Sequence, residues 1–184
     1  MNADPHSPRL VLPVGDRDHA QGLAQASVTL VEYGDYECPY CGAAYPIVKE
    51  IQERMGTKLR FIFRNFPLGN MHPHATLAAE AAEAAGAQGK FWEMHDTLYE
   101  HQDALSKNDL LGYARRVGVD SPKFVVALSG HEFAERVRED FLSGVRSGVN
   151  GTPTFYINGA RHNGSYDRGE LLPALERATE RGRP

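Results

Sequence analysis

The chain has 184 residues, 41% of them apolar, with 20 basic against 24 acidic side chains. That suits one globular domain, or one domain carrying an insertion, and excludes disorder over most of its length. A sequence pI near 6.1 argues against a nucleic-acid groove or an anionic-membrane patch, and no apolar run approaches the ~18 residues of a spanning helix.

Residues 1–26 contain Pro5, Pro8 and Pro13 among polar side chains and read as a partly flexible N-terminal arm. The polar start has no basic flank followed by an apolar stretch, so no secretory signal is read. As written, the chain is expected in the cytoplasm; with a leader removed it would be periplasmic or otherwise extracytoplasmic. Ser27–Tyr33 is a β-branched and apolar run that predicts a buried strand ending at Gly34. A helical pattern follows, with Ala44, Val48, Ile51 and Met55 on one face, Pro39 at its first position, Pro46 kinking its middle and Gly56 ending it. Lys58–Phe66 alternates as a second strand. From His74 to Val149 the signals are helical: Ala75–Ala87, Phe91–His101, a helix from Ser106 or Asn108 to Gly118, a short one from Ser121-Pro122 to Leu128, and a long one with Phe133, Val137, Phe141, Val145 and Val149 at steps of four. Thr154–Ile157 and Ala160–His162 flank Asn158-Gly159, a strong hairpin signal. A last helix is expected over Asp167–Thr179.

Cys38 and Cys41 are the only cysteines, too few for a four-thiolate zinc site or a multi-bridge secreted scaffold. Cys38-Pro39-Tyr40-Cys41 falls where a strand hands over to a helix. There the helix N-terminus favours a thiolate on Cys38, the nucleophile of thiol–disulfide exchange. Cys41, one turn inside on the same face, is close enough to resolve a mixed disulfide. The alternatives are a pair of inert buried thiols or half of a metal site.

The segment Leu30–Cys41 (L-V-E-Y-G-D-Y-E-C-P-Y-C), with Val149–Phe155 (V-N-G-T-P-T-F), resembles the DsbA-like branch of the thioredoxin superfamily over roughly residues 16–180. The resemblance implies an α/β thioredoxin fold in which a helical domain is inserted between the second strand and the cis-Pro strand hairpin. The implied division is a thioredoxin-like domain in two parts, 27–70 and 149–184, around a helical insertion at 71–148. The separation of 112 positions from Cys41 to Pro153 suits such an insertion and exceeds what a minimal thioredoxin needs.

The resemblance also implies a redox-active disulfide between Cys38 and Cys41, a cis bond before Pro153 facing it, and pairing of an extended substrate with the Thr152 main chain. Glu32 stands where thioredoxin-like proteins place a buried carboxylate beneath the second cysteine, which suggests it as the proton acceptor for Cys41. Pro46 matches the kinking proline of the active-site helix. Tyr40, between the cysteines, completes the expected substrate-binding set. Pro39-Tyr40 resembles the glutaredoxin dipeptide; it puts no histidine beside Cys38, and Glu37 is a like charge. A milder oxidant than DsbA, or a reductant, is therefore expected.

No metal or cofactor is expected. His72 and His74 in H-P-H read as solvated or capping, Phe91, Trp92, Met94 and Tyr99 as core, and Arg136 and Arg138 as a solvated helix face. The leading expectation is a monomeric thiol–disulfide oxidoreductase acting on protein thiols and disulfides. It would need an unidentified redox recycling partner, and neither nucleic acid nor membrane insertion is expected. The alternatives are a glutathione-linked glutaredoxin- or transferase-like enzyme, or a non-enzymatic redox-sensing or substrate-holding module resembling the DsbA-like domains attached to membrane transporters.

Overall fold

The computed structural model describes residues 8–181. In chain order its elements are β1 (His19–Gln21), β2 (Val28–Gly34), α1 (Pro39–Met55), β3 (Leu59–Asn65), α2 (Ala75–Gly86), α3 (Phe91–Glu100), α4 (Lys107–Val117), α5 (Ser121–Ser129), α6 (Ala134–Arg146), β4 (Thr154–Ile157), β5 (Ala160–Arg161) and α7 (Arg168–Arg181). They divide into a sheet unit, made of residues through Gly34, Ala43–Arg64 and Ser143 onward, and a helical unit of Asp35–Gly42 and Asn65–Leu142. This is the expected α/β thioredoxin fold with a helical insertion.

The sheet unit carries one five-stranded sheet in the order β1-β3-β2-β4-β5. β1 runs antiparallel to β3, β4 to β2, and β5 to β4. β2 is central, and Val28, Leu30, Val31 and Tyr33 are all buried, as a strand covered on both faces requires. The α1 stripe of Ala44, Val48, Ile51 and Met55 is buried, and Pro46 lies inside the helix. α7 packs on β2 and buries Leu171, Leu172 and Leu175. Asn158 (φ 48°) and Gly159 (φ 79°) make the tight turn between β4 and β5, both in the left-handed region that such hairpin turns demand. Asn158 also donates its N–H to the Thr29 carbonyl at 2.9 Å and accepts the Thr29 N–H on Oδ1 at 2.8 Å.

Residues 8–26 depart from the expected arm, whose first seven residues lie outside the described ones. Arg9 bridges to Ala160, Leu10 N–H donates to the Gly159 carbonyl, and residues 19–21 form β1. The physical anchor is Arg64 in β3, fully buried. Its Nε and Nη2 donate to the two oxygens of Asp18 at 2.8 and 3.0 Å, Nη1 to the Leu12 carbonyl and Tyr33 Oη, and Nη2 also to the Pro13 carbonyl. All five guanidinium hydrogens are used. Burial pulls the Arg64 pKa down, but the bonds and charges of Asp18 and Tyr33 outweigh it and hold the side chain cationic.

In the helical unit α2 buries seven alanines together with Glu80 and Glu83, and packs against α3 and α5. α4 starts in a capping box, Ser106 Oγ accepting the Asp109 N–H and Asp109 accepting the Ser106 N–H, and ends at Gly118 (φ 79°). Asp120 caps α5, with Pro122 in its first turn. α6 is shorter than the hydrophobic steps suggested: it ends at Arg146, and Gly148 (φ 88°) turns the chain before Val149. The motif segment Asp35–Gly42 belongs to this unit, whereas the sequence boundaries put it with the sheet. Its hydrogen bonds, described next, explain why.

Candidate active site

Asp35, just past β2, organises the Cys38–Cys41 segment. Its side chain is fully buried. Oδ1 accepts the Glu37 N–H at 2.8 Å, and Oδ2 accepts the Leu68 N–H and His72 Nδ1–H, both at 2.8 Å. The Asp35 carbonyl accepts the Cys38 N–H at 3.2 Å, and its own N–H points to Cys41 Sγ at 3.5 Å. One aspartate thereby holds the backbone at Glu37 and Cys38 and reaches the sulfur of Cys41.

Two more residues of the helical unit hold the segment. Gln102, after α3, donates from Nε2 to the Tyr36 carbonyl at 2.8 Å and to the Cys38 carbonyl at 3.0 Å. Tyr36 is buried, and its hydroxyl shares a 3.0 Å hydrogen bond with His95 Nδ1. Tyr99 and Trp92 stand against the same imidazole.

Cys38 directly precedes α1, whose first hydrogen bond runs from Gly42 N–H to the Cys38 carbonyl at 3.1 Å. Cys41 is the third helical residue, and both cysteines are buried. Backbone N–H groups at a helix start favour negative charge on the residue that begins it. Tyr40, between them, is 65% exposed and open to a partner molecule.

The other expected site residues lie in the sheet unit. Glu32, 3% exposed, is in register with Phe155 across the β2–β4 ladder, as Tyr33 is with Thr154. Thr152–Pro153 is the cis peptide bond among the described residues, and both residues are half-buried. The strand that enters the motif and the strand that leaves the cis proline are therefore paired neighbours.

Asp35, Gln102, His72 and His74 escaped sequence reasoning. His72 is sheltered and His74 half open to solvent, and both imidazoles bond to acids of the motif segment, not to a helix start. His74 occupies the N-cap position of α2 without a cap bond; its N–H and Nδ1 go to Glu37 at 2.6 and 2.8 Å. Burial pushes the His72 imidazole down, but its bond to Asp35 and the charges of Asp35, Cys38 and Glu37 raise its pKa overall. The motif thus has a histidine near it, supplied from a loop and not from within C-P-Y-C. Among the described residues there is no cluster of three or more His, Cys, Asp or Glu able to hold a metal ion. Nor is any helix of those residues long and apolar enough to cross a membrane.

A family model described as Thioredoxin matches residues 15–177. The chain is similar to the Na(+)/H(+) antiporter NhaA 1 of Salinispora arenicola, 51% identical over 170 residues, which cover 92% of this chain and 26% of that protein. It spans about a quarter of the length of the curated relatives it matches. Among solved structures it resembles oxidised BdbD from Bacillus subtilis (TM-score 0.83, 25% identity, 95% of this chain and 97% of that one). A thioredoxin-like oxidoreductase from Silicibacter pomeroyi matches with TM-score 0.79 and 28% identity over 90% and 94% of the chains. An alpha-DsbA1 variant from Wolbachia pipientis shares the fold at TM-score 0.78 and 20% identity, over 94% and 95%.

Proposed function

Since the chain belongs to the thioredoxin family and has the DsbA-like form of its fold, we propose that it is a thiol–disulfide oxidoreductase working through Cys38 and Cys41. The observation that carries this reading is the placement of Cys38 at the start of α1 with Cys41 one turn inside, Asp35 bonded to the backbone or sulfur of each. The likeness to the Silicibacter oxidoreductase supports it.

In the reductive direction the Cys38 thiolate attacks one sulfur of a protein disulfide. A mixed disulfide forms and one substrate thiolate leaves. Cys41 then loses its proton and attacks Cys38 Sγ; the second substrate thiolate leaves, and a Cys38–Cys41 disulfide remains. Two electrons pass from the dithiol to the substrate, and the reverse sequence oxidises a substrate dithiol. A redox partner restores the starting state. Glu32 is the proposed acceptor of the Cys41 proton. Tyr40, the Thr152 main chain and Pro153 are the proposed contacts for an extended protein substrate.

Trapping tests this directly. Cys41→Ser should accumulate mixed disulfides through Cys38, and Cys38→Ser should be inert in insulin reduction. Faster alkylation of Cys41 than of Cys38 in the reduced protein would overturn the assignment.

A second reading rests on the antiporter relatives, of which this chain matches about a quarter. The same dithiol would then serve as a redox-responsive module of a transporter. Absence of insulin turnover, together with Na(+)/H(+) exchange that changes with the Cys38–Cys41 redox state, would favour that reading.

A further inference from the structure

The acids ahead of the motif, Asp35 and Glu37, are two positions apart, and so are His72 and His74. The structure matches them one to one. His72 Nδ1 lies 2.8 Å from Asp35 Oδ2, and His74 Nδ1 lies 2.8 Å from Glu37 Oε1, its N–H reaching Oε2 as well. The first pair is sheltered, with His72 16% exposed and Asp35 fully buried, while His74 is half open to solvent.

We propose that His72-Pro73-His74 is a charge-balancing clamp on the redox motif, with His72 a positioning residue whose protonated form favours the Cys38 thiolate and makes thiol exchange pH-dependent. This rests on the oxidoreductase reading. Two carboxylates immediately before a cysteine oppose a third negative charge on its sulfur. An imidazole beside each carboxylate offsets that opposition when it carries a proton. Asp35 also transmits position, since the residue that holds His72 is hydrogen-bonded to the Cys38 N–H and reaches Cys41 Sγ.

The charged and titratable groups acting on His72 are Asp35, Cys38 and Glu37, the last also held by His74, while the Leu68 N–H shares Asp35 Oδ2. Coupling between two sites is reciprocal, so the thiolate that favours the imidazolium is itself favoured by it. The imidazolium is present at mildly acidic pH and lost as pH rises through the raised His72 value. Its help to the thiolate is therefore largest in mild acid and vanishes in alkali, where the thiolate forms regardless.

The test is the rate of Cys38 alkylation by iodoacetamide in the reduced full chain, read residue by residue by mass spectrometry from pH 5 to 9. In His72→Gln the rate should fall at acid pH and converge on the wild type in alkali. Each unit by which the thiol pKa rises cuts the thiolate about tenfold, and the better nucleophile recovers part of it, leaving a loss of about threefold. His72→Lys, which keeps a cation to higher pH, should restore the acid-limb rate. The reduction potential of His72→Gln should move to more negative values, because the reduced form loses its stabilised thiolate. A second measurement does not depend on a variant at position 72: the His72 imidazole, followed by NMR, should titrate lower in Cys38→Ser than in the reduced wild type. An alkylation profile that superimposes on the wild type, one slowed equally at every pH, or an unmoved imidazole would each overturn the clamp. Alkylation needs no protein substrate, so inactivity toward insulin with a shifted profile would defeat the oxidoreductase reading alone.

Discussion

Gly42→Ala puts the local structure around the motif to a test of sign. Gly42 is the fourth residue of α1, and inside a helix alanine normally outranks glycine by about 1 kcal/mol. A Cβ at this position would overlap the Gln102 side-chain amide. That amide ends a flexible side chain and can swing away, so the cost is the loss of its two bonds to the Tyr36 and Cys38 carbonyls. At about 0.5–1.5 kcal/mol each, the loss is about 1–3 kcal/mol, and the net effect of Gly42→Ala is a destabilisation of roughly 0–2 kcal/mol. In a Gln102→Ala background nothing is displaced, and the same substitution should stabilise by about 1 kcal/mol. Urea unfolding of the four proteins, compared at constant m, gives the coupling directly, and about 1–3 kcal/mol is expected. Equal stabilisation by Gly42→Ala in both backgrounds would refute the reasoning and release Gln102 from its role at the Cys38 carbonyl.

Three further outcomes are expected. Arg64→Leu leaves the Asp18 carboxylate buried without its forked partner and should cost about 3–5 kcal/mol in thermal unfolding; a loss under about 1 kcal/mol would contradict the anchoring of residues 12–18. Glu32→Gln should leave Cys38 alkylation nearly unchanged and slow the release of the mixed disulfide, and an unaltered release rate would remove Glu32 from the resolving step. Burial pushes the Asp140 carboxyl up, against the lowering effect of Arg136, so its folded pKa exceeds the unfolded one. Its contribution is fully present below the unfolded carboxylate value, about pH 4, and is lost as pH rises through the folded value. Asp140→Asn should therefore flatten the fall in unfolding free energy on that limb, and an unchanged slope would count against it.

What the sequence reveals and conceals follows from the range of each interaction. β2 and α1 were legible because a continuous apolar run and a +4, +3, +4 stripe are local, and the cysteines because their spacing is itself chemistry. β1 was not: three residues, His19–Gln21, carry no periodicity, and the segment before them is held by Arg64, 52 positions after Leu12. The hydrophobic step predicts a longer α6 because Val149 continues it, while Gly148 turns the backbone. Around the motif, 37 positions separate Asp35 from His72 and 64 separate Cys38 from Gln102, so local neighbours gave H-P-H no partner. Arg136 shows the same limit: read as a solvated face, it meets the buried carboxylates of Asp140 and Glu83.

The Asn158-Gly159 turn has a consequence for anyone who would engineer the chain. An exposed two-residue tip is the usual place to graft an epitope, seat a fluorophore or open a new terminus by circular permutation. Here the turn fastens two other stretches of backbone at once: Asn158 clasps Thr29 in both directions, Gly159 receives Leu10, and the next residue bridges to Arg9. Grafts at this turn should loosen the entry to β2 and the start of the described chain together, so the tip is a fastening point and a poor site for cargo.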